Sequence, residues 1–262
     1  AIYVEADIGS FNLLALQEVQ FAQDFQQIFF PLLMIGFGVL AGLWPFHTWS
    51  PDGHVAAPTA VSMLHAGVLM KLGAYGIIRL GMTLLPEGLD WWQIPLISLA
   101  TVNVVYGALS AMSQRDLKFV IGYSSVGHMG LVLIGLATID AVGVTGAVLQ
   151  MFSHGIMTAL FFAMVGVIYQ QAHTRDITKL SGLAKRMPTV VFFFMIAGLA
   201  SLGLPGLSGF VAEVLVFIGA FRTFPVVGVL GVIAAMLTAV YILRLVARSF
   251  FGPADEQWAD LK

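Results

Sequence analysis

The sequence predicts an all-α protein, a polytopic transmembrane helical bundle of about seven helices in which two helices are broken. The 262 residues are 59% hydrophobic and only 10% charged, and the mean hydropathy is +0.92. These values lie outside the range of soluble globular domains. The apolar runs are long and continuous, whereas an outer-membrane barrel shows short alternating segments.

Seven apolar segments are long enough to cross a bilayer. They fall at 28–46, 59–80, 94–113, 119–138, 141–169, 188–221 and 224–247. Residues 1–24 hold four acids and no basic region or cleavage site, so we expect an extramembrane segment rather than a signal peptide. Because the first residue is not Met, we also expect the chain to start part-way through a longer protein.

The basic residues outside the membrane segments alternate between the two sides. One side has only Arg79 and Arg222. The turns after the third and fifth segments and the C-terminal end carry Arg115, Lys118, Arg175, Lys179, Lys185, Arg186, Arg244, Arg248 and Lys262. By the positive-inside rule the latter side is cytoplasmic, and the acidic N-terminal segment lies outside.

Proline and glycine interrupt two of the segments. The first segment runs into a stretch with Pro45 and Pro51, and Pro205 and Gly206 fall at the centre of the sixth. Proline removes a backbone donor and glycine loosens a helix, so we expect both helices to break. Paired broken helices indicate a transport site built from inverted repeats, and the alternative is two simple proline kinks.

Ionisable residues are rare inside the predicted membrane zone. A charge at mid-membrane costs between ~2.5 and more than 10 kcal/mol, so Lys71 marks a functional site, unless its ammonium reaches the membrane surface. Glu213 follows the second break, where unpaired amides at the start of a half-helix favour a carboxylate. A buried acid and a buried base together have the parts of a proton relay.

Histidines and hydroxyls add to this pair. His128 follows Tyr123 and Ser124 on the fourth segment, and His154 follows Ser153 on the fifth. Imidazole titrates near neutral pH and neighbouring hydroxyls hold water, so both histidines are relay candidates. The alternative is that each is a hydrogen-bonded packing residue.

Two further candidates are less specific. His65 lies six residues before Lys71, which is not the same helical face. Lys118 lies at the inner end of its helix, where a structural role and proton entry are both open.

The chain has no cysteine, which excludes a thiolate metal site or iron–sulfur ligation in these residues, and we expect any redox chemistry in partner chains.

Six motifs occur in order along nearly the whole chain. They are WPFHTWSPDGHVAAPTA at 44–60, AGVLMKLGAYG at 66–76, YSSVGHMG at 123–130, SHG at 153–155, HTRD at 173–176 and GFVAE at 209–213. The set resembles the antiporter-like membrane subunits of respiratory complex I, the proton-pumping NADH:quinone oxidoreductase. Residue 213 is a glutamate, whereas the sister subunits L and N usually carry lysine at this position. In this respect the chain resembles the M type, which is subunit 4 in mitochondria.

The resemblance implies an antiporter-like fold of fourteen helices, with two inverted five-helix repeats and a hydrophilic axis at the membrane centre. Residues 25–80 would be the last two helices of the first repeat, 94–251 the second repeat, and 252–262 a cytoplasmic tail.

The resemblance also implies roles for individual residues. Lys71 would connect two half-channels, His128 and His154 would belong to the second half-channel, and Glu213 would be its terminal carboxylate. His47 would lie at the first helix break.

The implied function is that of a proton-translocating membrane-arm subunit with no redox chemistry of its own. Other subunits would carry FMN, iron–sulfur clusters and quinone. The expected partners are neighbouring membrane subunits and the lipid bilayer, without nucleic acid. The expected location is the bacterial inner membrane in preference to a mitochondrial inner or thylakoid membrane. The alternatives are a subunit of a cation/proton antiporter or of a membrane-bound hydrogenase, and a structural subunit that does not pump.

The sequence departs from the family pattern at one position. The family usually places a lysine five residues before the proline of the Pro-x-His-x-Trp stretch, and that position is Leu40 here. The glutamate that usually partners this lysine would lie upstream of Ala1. Both positions belong to the first half-channel, and Leu40 prompts the alternative of a subunit that does not pump.

Overall fold

The chain folds into a bundle of helices, as its composition predicts. The computed structural model describes residues 1–253 and 256–258, so much of the expected tail at 252–262 lies outside the described residues. The α-helices of the described part are α1 Ile2–Ala6, α2 Leu13–Leu16, α3 Gln23–Ala41, α4 Trp49–Ala56, α5 Thr59–Met82, α6 Pro86–Ser113, α7 Leu117–Ala137, α8 Ala141–Ala172, α9 Pro188–Ser201, α10 Ser208–Thr223 and α11 Pro225–Ser249. Short 3₁₀ turns occupy Leu183–Lys185 and Glu256–Trp258.

Six helices of the described chain, α3, α5, α6, α7, α8 and α11, are each long and apolar enough to cross a membrane. The sixth of the seven predicted crossings is instead divided between α9 and α10. The prediction of about seven helical crossings is therefore confirmed, with one crossing built from two half-helices.

Both predicted breaks are present. Helix α3 ends before Gly42, whose φ of 79° is left-handed and suits glycine, and the chain becomes helical again in α4. The second break lies between α9 and α10, where Gly203 and Gly206 have φ of 63° and 99°. These are interruptions of the helix rather than proline kinks, because the backbone reverses its handedness at each of them.

Some predicted boundaries are wrong. The first crossing was placed at 28–46, but α3 starts at Gln23 and ends at Ala41. The third was placed to start at 94, but α6 starts at Pro86. Proline suits the first position of a helix, and Glu87 beside it interacts favourably with the helix dipole. The polar residues that lower hydropathy before 94 therefore belong to the helix.

The basic turns gather at one end of the bundle. The amide of Ile177 donates to the carbonyl of Arg115 at 2.8 Å, and the amide of Ala184 donates to the carbonyl of Phe250 at 3.0 Å. The opposite end holds Arg222, whose guanidinium lies 3.8 Å from the carboxylate of Asp140. This arrangement agrees with the sidedness that the charge bias predicts.

Helix α7 forms the centre of the bundle, with nearly all of its residues buried. Glycines let its neighbours approach closely: a Cβ added to Gly107 of α6 would lie 2.6 Å from the amide nitrogen of Gly127. A Cβ at Gly130 would lie 2.8 Å from the nitrogen of Val104. Such small-residue contacts replace the hydrophobic effect as the basis of helix association in lipid.

Helix α5 contains two π-helical turns, His65–Leu69 and Ile77–Met82, which hydropathy did not predict. Lys71 lies in the α-helical turn between them. π-turns inside α-helices occur frequently at functional sites, because they change which side chains share a helical face.

Candidate functional site

Four buried polar side chains from four different helices lie at the centre of the bundle. Lys71 on α5 is 7% exposed, His154 on α8 is fully buried, His128 on α7 is 4% exposed and Glu213 on α10 is 6% exposed. We call these four residues the buried polar line. The sequence predicted all four as relay residues, and the structure places them in one connected region.

A close helix crossing brings Lys71 to α8. A Cβ added to Gly155 would lie 2.7 Å from the carbonyl oxygen of Gly67 and 3.8 Å from Cε of Lys71. The ammonium of Lys71 donates to the carbonyl of Ala66, inside the π-helical turn. The lysine is therefore held in the interior beside α8, and the alternative of an ammonium that reaches the membrane surface is wrong.

His154 lies next along the line. Its ring stacks on that of His128 with centroids 5.1 Å apart and planes inclined by 22°. Neither of its ring nitrogens has a hydrogen-bond partner among the described residues. Lys71 and His54 are also within electrostatic range of this ring. His154 thus connects α5 and the first break to α7.

His128 lies between a backbone carbonyl of its own helix and the carboxyl group of Glu213. Nδ1 of His128 lies 2.8 Å from the carbonyl oxygen of Ser124, an acceptor, so Nδ1 carries a hydrogen. Nε2 faces two more oxygens, the Ser201 carbonyl at 3.3 Å and the Glu213 carboxyl at 3.8 Å. The 3.8 Å separation is longer than a direct hydrogen bond, and one bridging water or a small shift of either side chain would allow proton exchange between the two groups.

The surroundings of Glu213 differ from those that the sequence suggested. Helix α10 starts at Ser208, so Glu213 lies in its second turn, beyond the free amides of the first. Its carboxyl group instead meets His128 and accepts a hydrogen bond from the side-chain amide of Gln150. A Cβ at Gly203 would lie 2.5 Å from Oε2 of Glu213. A larger residue in the second break would therefore collide with the carboxylate, and the glycine avoids this collision.

Hydroxyl groups extend the line at two points. The hydroxyl of Tyr241 donates to Oγ of Ser124 at 2.7 Å, and that oxygen lies 3.4 Å from Nδ1 of His128. Oγ of Ser153 lies 2.8 Å from Oγ of Ser208, where α10 begins. The predicted candidate Ser124 thus links His128 to α11, and Ser153 links α8 to α10, the helix that carries Glu213.

The first break holds a second group of rings. His47 is 3% exposed, and its ring meets the edge of Tyr106 at a centroid distance of 4.9 Å. Tyr123 contacts Tyr106 from the other side at 6.3 Å. The predicted candidates His47 and Tyr123 therefore both contact Tyr106.

His54 is a residue that the sequence reasoning did not select. Its ring is fully buried, lies 4.0 Å from the ring of His65 and 4.8 Å from Phe162, and has Nδ1 without a partner in the described chain. His65 also stacks on Trp49 at 4.8 Å. The position of His54 within the first motif, three residues after Pro51, was the available signal in the sequence.

Lys118 is held by three acceptors. Its ammonium donates to the carbonyls of His54 at 3.1 Å and Ala57 at 2.7 Å and to Oγ of Ser62 at 3.2 Å. A cation at the C-terminal carbonyls of α4 also suits the helix dipole. These contacts favour the structural role that the sequence left open.

We expect Lys118→Met to destabilise the protein by about 1–3 kcal/mol, because it leaves buried carbonyl groups unpaired. Thermal unfolding of the purified full-length protein in detergent measures this loss. Lys179→Met is the matched control, since Lys179 is exposed on the same side. Unchanged stability together with slower proton uptake in Lys118→Met would assign the residue to proton entry instead.

Within the described residues no group of three or more His, Cys, Asp or Glu side chains is placed to hold a metal ion. The buried polar line itself combines one amine, two imidazoles and one carboxyl group, all of which can exchange protons.

Comparison with known proteins identifies the family. The sequence profile described as "NADH:quinone oxidoreductase/Mrp antiporter, TM" matches residues 1–238. The chain belongs to this family. The resemblance seen in the six motifs is confirmed.

Family members of known name are similar over nearly the whole chain. NADH-quinone oxidoreductase subunit M of Rickettsia bellii is 41% identical over 253 residues, which cover 96% of this chain and 51% of that protein. NAD(P)H-quinone oxidoreductase chain 4 2 of Thermosynechococcus vestitus is 42% identical over 250 residues, which cover 93% and 47%. The chain thus spans about half the length of the curated relatives that it matches.

Solved structures share the fold. A chain of respiratory complex I from Thermus thermophilus superposes with a TM-score of 0.93 at 27% identity, covering 97% of this chain and 55% of the other. A chain of an archaeal membrane-bound sulfane sulfur reductase gives 0.88 at 28% identity, covering 97% and 53%. A chain of the Mrp complex from Dietzia gives 0.83 at 23% identity, covering 87% and 43%, which shows the fold alone.

Proposed function

We propose that the chain is part of a proton-translocating membrane-arm subunit of a complex I-type NADH:quinone oxidoreductase. The observation that carries the proposal is the buried polar line, in which His154 stacks on His128 at 5.1 Å and His128 faces Glu213 at 3.8 Å. Ionisable groups so deep in a membrane bundle are expensive, and proton pathways are a principal use of them. The similarity to subunit M and chain 4 proteins supports the same function.

In the proposed relay, Glu213 and His128 share one proton, and a field change along the membrane decides which of them holds it. His154 passes a proton between His128 and Lys71 through bridging water, because the ring separation exceeds a direct hydrogen bond. A protonated Lys71 would repel a proton from His154, whereas a neutral Lys71 would accept one. Coupling therefore arises from the charge on Lys71.

The proposal extends to the organisation of the whole protein. Residues 25–80 would supply the end of a first repeat, and 94–251 would supply the complete second repeat with its half-channel. His47, His65, Tyr123, Ser124 and Ser153 would be additional channel residues, whereas Lys118 would hold α4 in place through its hydrogen bonds. Other subunits would hold FMN, iron–sulfur clusters and quinone, and the assembly would sit in a bacterial inner membrane beside antiporter-like neighbours.

Lys71→Ala tests the proposal. We expect fewer protons to be moved per electron, because His154 loses the cation that controls its proton. Quinone-linked proton uptake by membrane vesicles containing the whole complex measures this ratio. Leu72→Ala is the matched control, since Leu72 is the next residue of α5 and is 49% exposed. A wild-type ratio in Lys71→Ala would contradict the proposal and favour a subunit that does not pump.

A second candidate function is that of an antiporter-like subunit in a different membrane complex, such as a cation/proton antiporter or a membrane-bound hydrogenase. The structural match to the sulfane sulfur reductase at 28% identity favours this candidate, because that complex is of another type. The subunits that co-purify with the full-length protein distinguish the candidates. A flavin and iron–sulfur arm with quinone reductase activity supports the leading proposal, and its absence supports the second.

A further inference from the structure

A basic cavity lies apart from the buried polar line, at the end of the bundle where the positive turns gather. Its volume is about 420 Å³, and it opens between the ends of α6, α7 and α11 and the turn after α8. This is the size of a small-ligand site. The charge bias assigns this end to the cytoplasmic side.

Three arginines line the cavity: Arg115, Arg244 and Arg248. Arg244 and Arg248 are exposed and make no hydrogen bond or ion pair with any described residue. They are four residues apart, so both guanidinium groups lie on one face of α11. Arg115 faces them from the turn after α6.

Few acids oppose these cations. No acidic side chain lines the cavity among the described residues. Asp176 lies within electrostatic range of Arg115. Its carboxylate accepts hydrogen bonds from the amide and hydroxyl of Thr178 at 2.9 and 2.7 Å, which hold its pKa below the usual range, so this one anion offsets one of the three arginines. Asp116 is paired with Arg175 at 3.1 Å. The cavity therefore keeps a net positive charge.

The remaining walls combine polar and apolar groups. Gln114 and Thr178 add hydrogen-bonding groups near the arginines, and Met112, Val120 and Leu245 form an apolar side. A phosphate group suits the guanidinium forks, which bind its oxygens in pairs, and glycerol and acyl carbons suit the apolar side. Basic pockets between membrane helices on the cytoplasmic side bind anionic lipid headgroups.

We propose that this cavity binds a phosphate group, carried by the headgroup of an anionic phospholipid of the inner leaflet. The ligand is separate from the proton relay, although one wall is Tyr241, whose hydroxyl donates to Ser124. The site would fix the ends of α6, α7 and α11 relative to one another.

Photo-crosslinking of lipids tests the site on the full-length protein in its native complex, in bilayer discs of phosphatidylcholine. One sample contains photoactivatable phosphatidylglycerol and the other photoactivatable phosphatidylcholine. We expect the anionic probe to label peptides containing residues 111–120 and 241–248 several-fold more than the zwitterionic probe. Equal labelling by the two probes, or no labelling of these peptides, would overturn the proposal.

Two further experiments test the role of the arginines and the source of the phosphate. Arg244→Gln with Arg248→Gln should lower the anionic labelling by about fivefold for each arginine. The matched control is Lys179→Gln with Lys185→Gln, which removes the same charge from exposed positions on the same side. An equal loss in the control would show general surface attraction and overturn the site. Displacement of the probe by inorganic phosphate would assign the cavity to free phosphate and overturn the lipid source.

Discussion

Glu213→Gln should slow proton transfer through this chain by about two orders of magnitude or more, the contribution of a positioned acid–base group. Glutamine fills the same volume as glutamate but does not take up or release a proton at working pH. The His128 contact at 3.8 Å and the Gln150 hydrogen bond would remain close to their present geometry. Proton uptake by vesicles that contain the whole complex, driven by quinone reduction, measures the loss.

A double-mutant cycle makes this prediction sharper. If His128 and Glu213 share one proton, then His128→Gln and Glu213→Gln together should cost little more than either change alone, because each one already removes the shared proton. Glu87→Gln is the control, since Glu87 lies at the outer start of α6. Losses that add independently would show that the two residues act in separate steps and would contradict the shared proton.

The sequence was sufficient for the topology and for the four residues of the buried polar line. Hydropathy determined the crossings because a membrane span has few alternatives to an apolar helix. Pro205 and Gly206 indicated the second break because each of them weakens a helix locally. Lys71 and Glu213 stood out because ionisable groups are rare in this zone. Their function in proton transfer stays a prediction.

The features that the sequence did not predict depend on contacts between residues far apart in the chain. Gln150 meets Glu213 only because of the way in which α8 and α10 are aligned along each other. No pattern in the residues around Gln150 indicates that its side chain has a functional partner. Tyr241 reaches Ser124 across 117 positions of sequence. The π-helical turn before Lys71 depends on how α5 packs against α8. Propensity does not determine such a turn, because the π-helix is a minor form that tertiary contacts select.

The register of α8 against α10 is set by one face of α8. Gly146, Gln150 and Ser153 recur at helical spacing, and they meet Val216, Glu213 and Ser208 in turn. A Cβ at Gly146 would lie 2.6 Å from the backbone nitrogen of Val216 and 2.9 Å from the carbonyl of Ala212. Both are backbone atoms, so the contact is relieved only if the two helices move apart.

Gly146→Leu should therefore destabilise the full-length protein by at least about 1–3 kcal/mol, the usual cost of overpacking, and should also slow proton transfer. The second effect follows because Gln150 lies one turn further along the same face and moves with α8 away from Glu213. Gly36→Leu is the matched control, since no atom lies within 4 Å of a Cβ built at Gly36 of α3. Thermal unfolding and proton uptake are measured on both. Equal stability of the two variants would mean that the close approach of α8 and α10 does not hold the relay together.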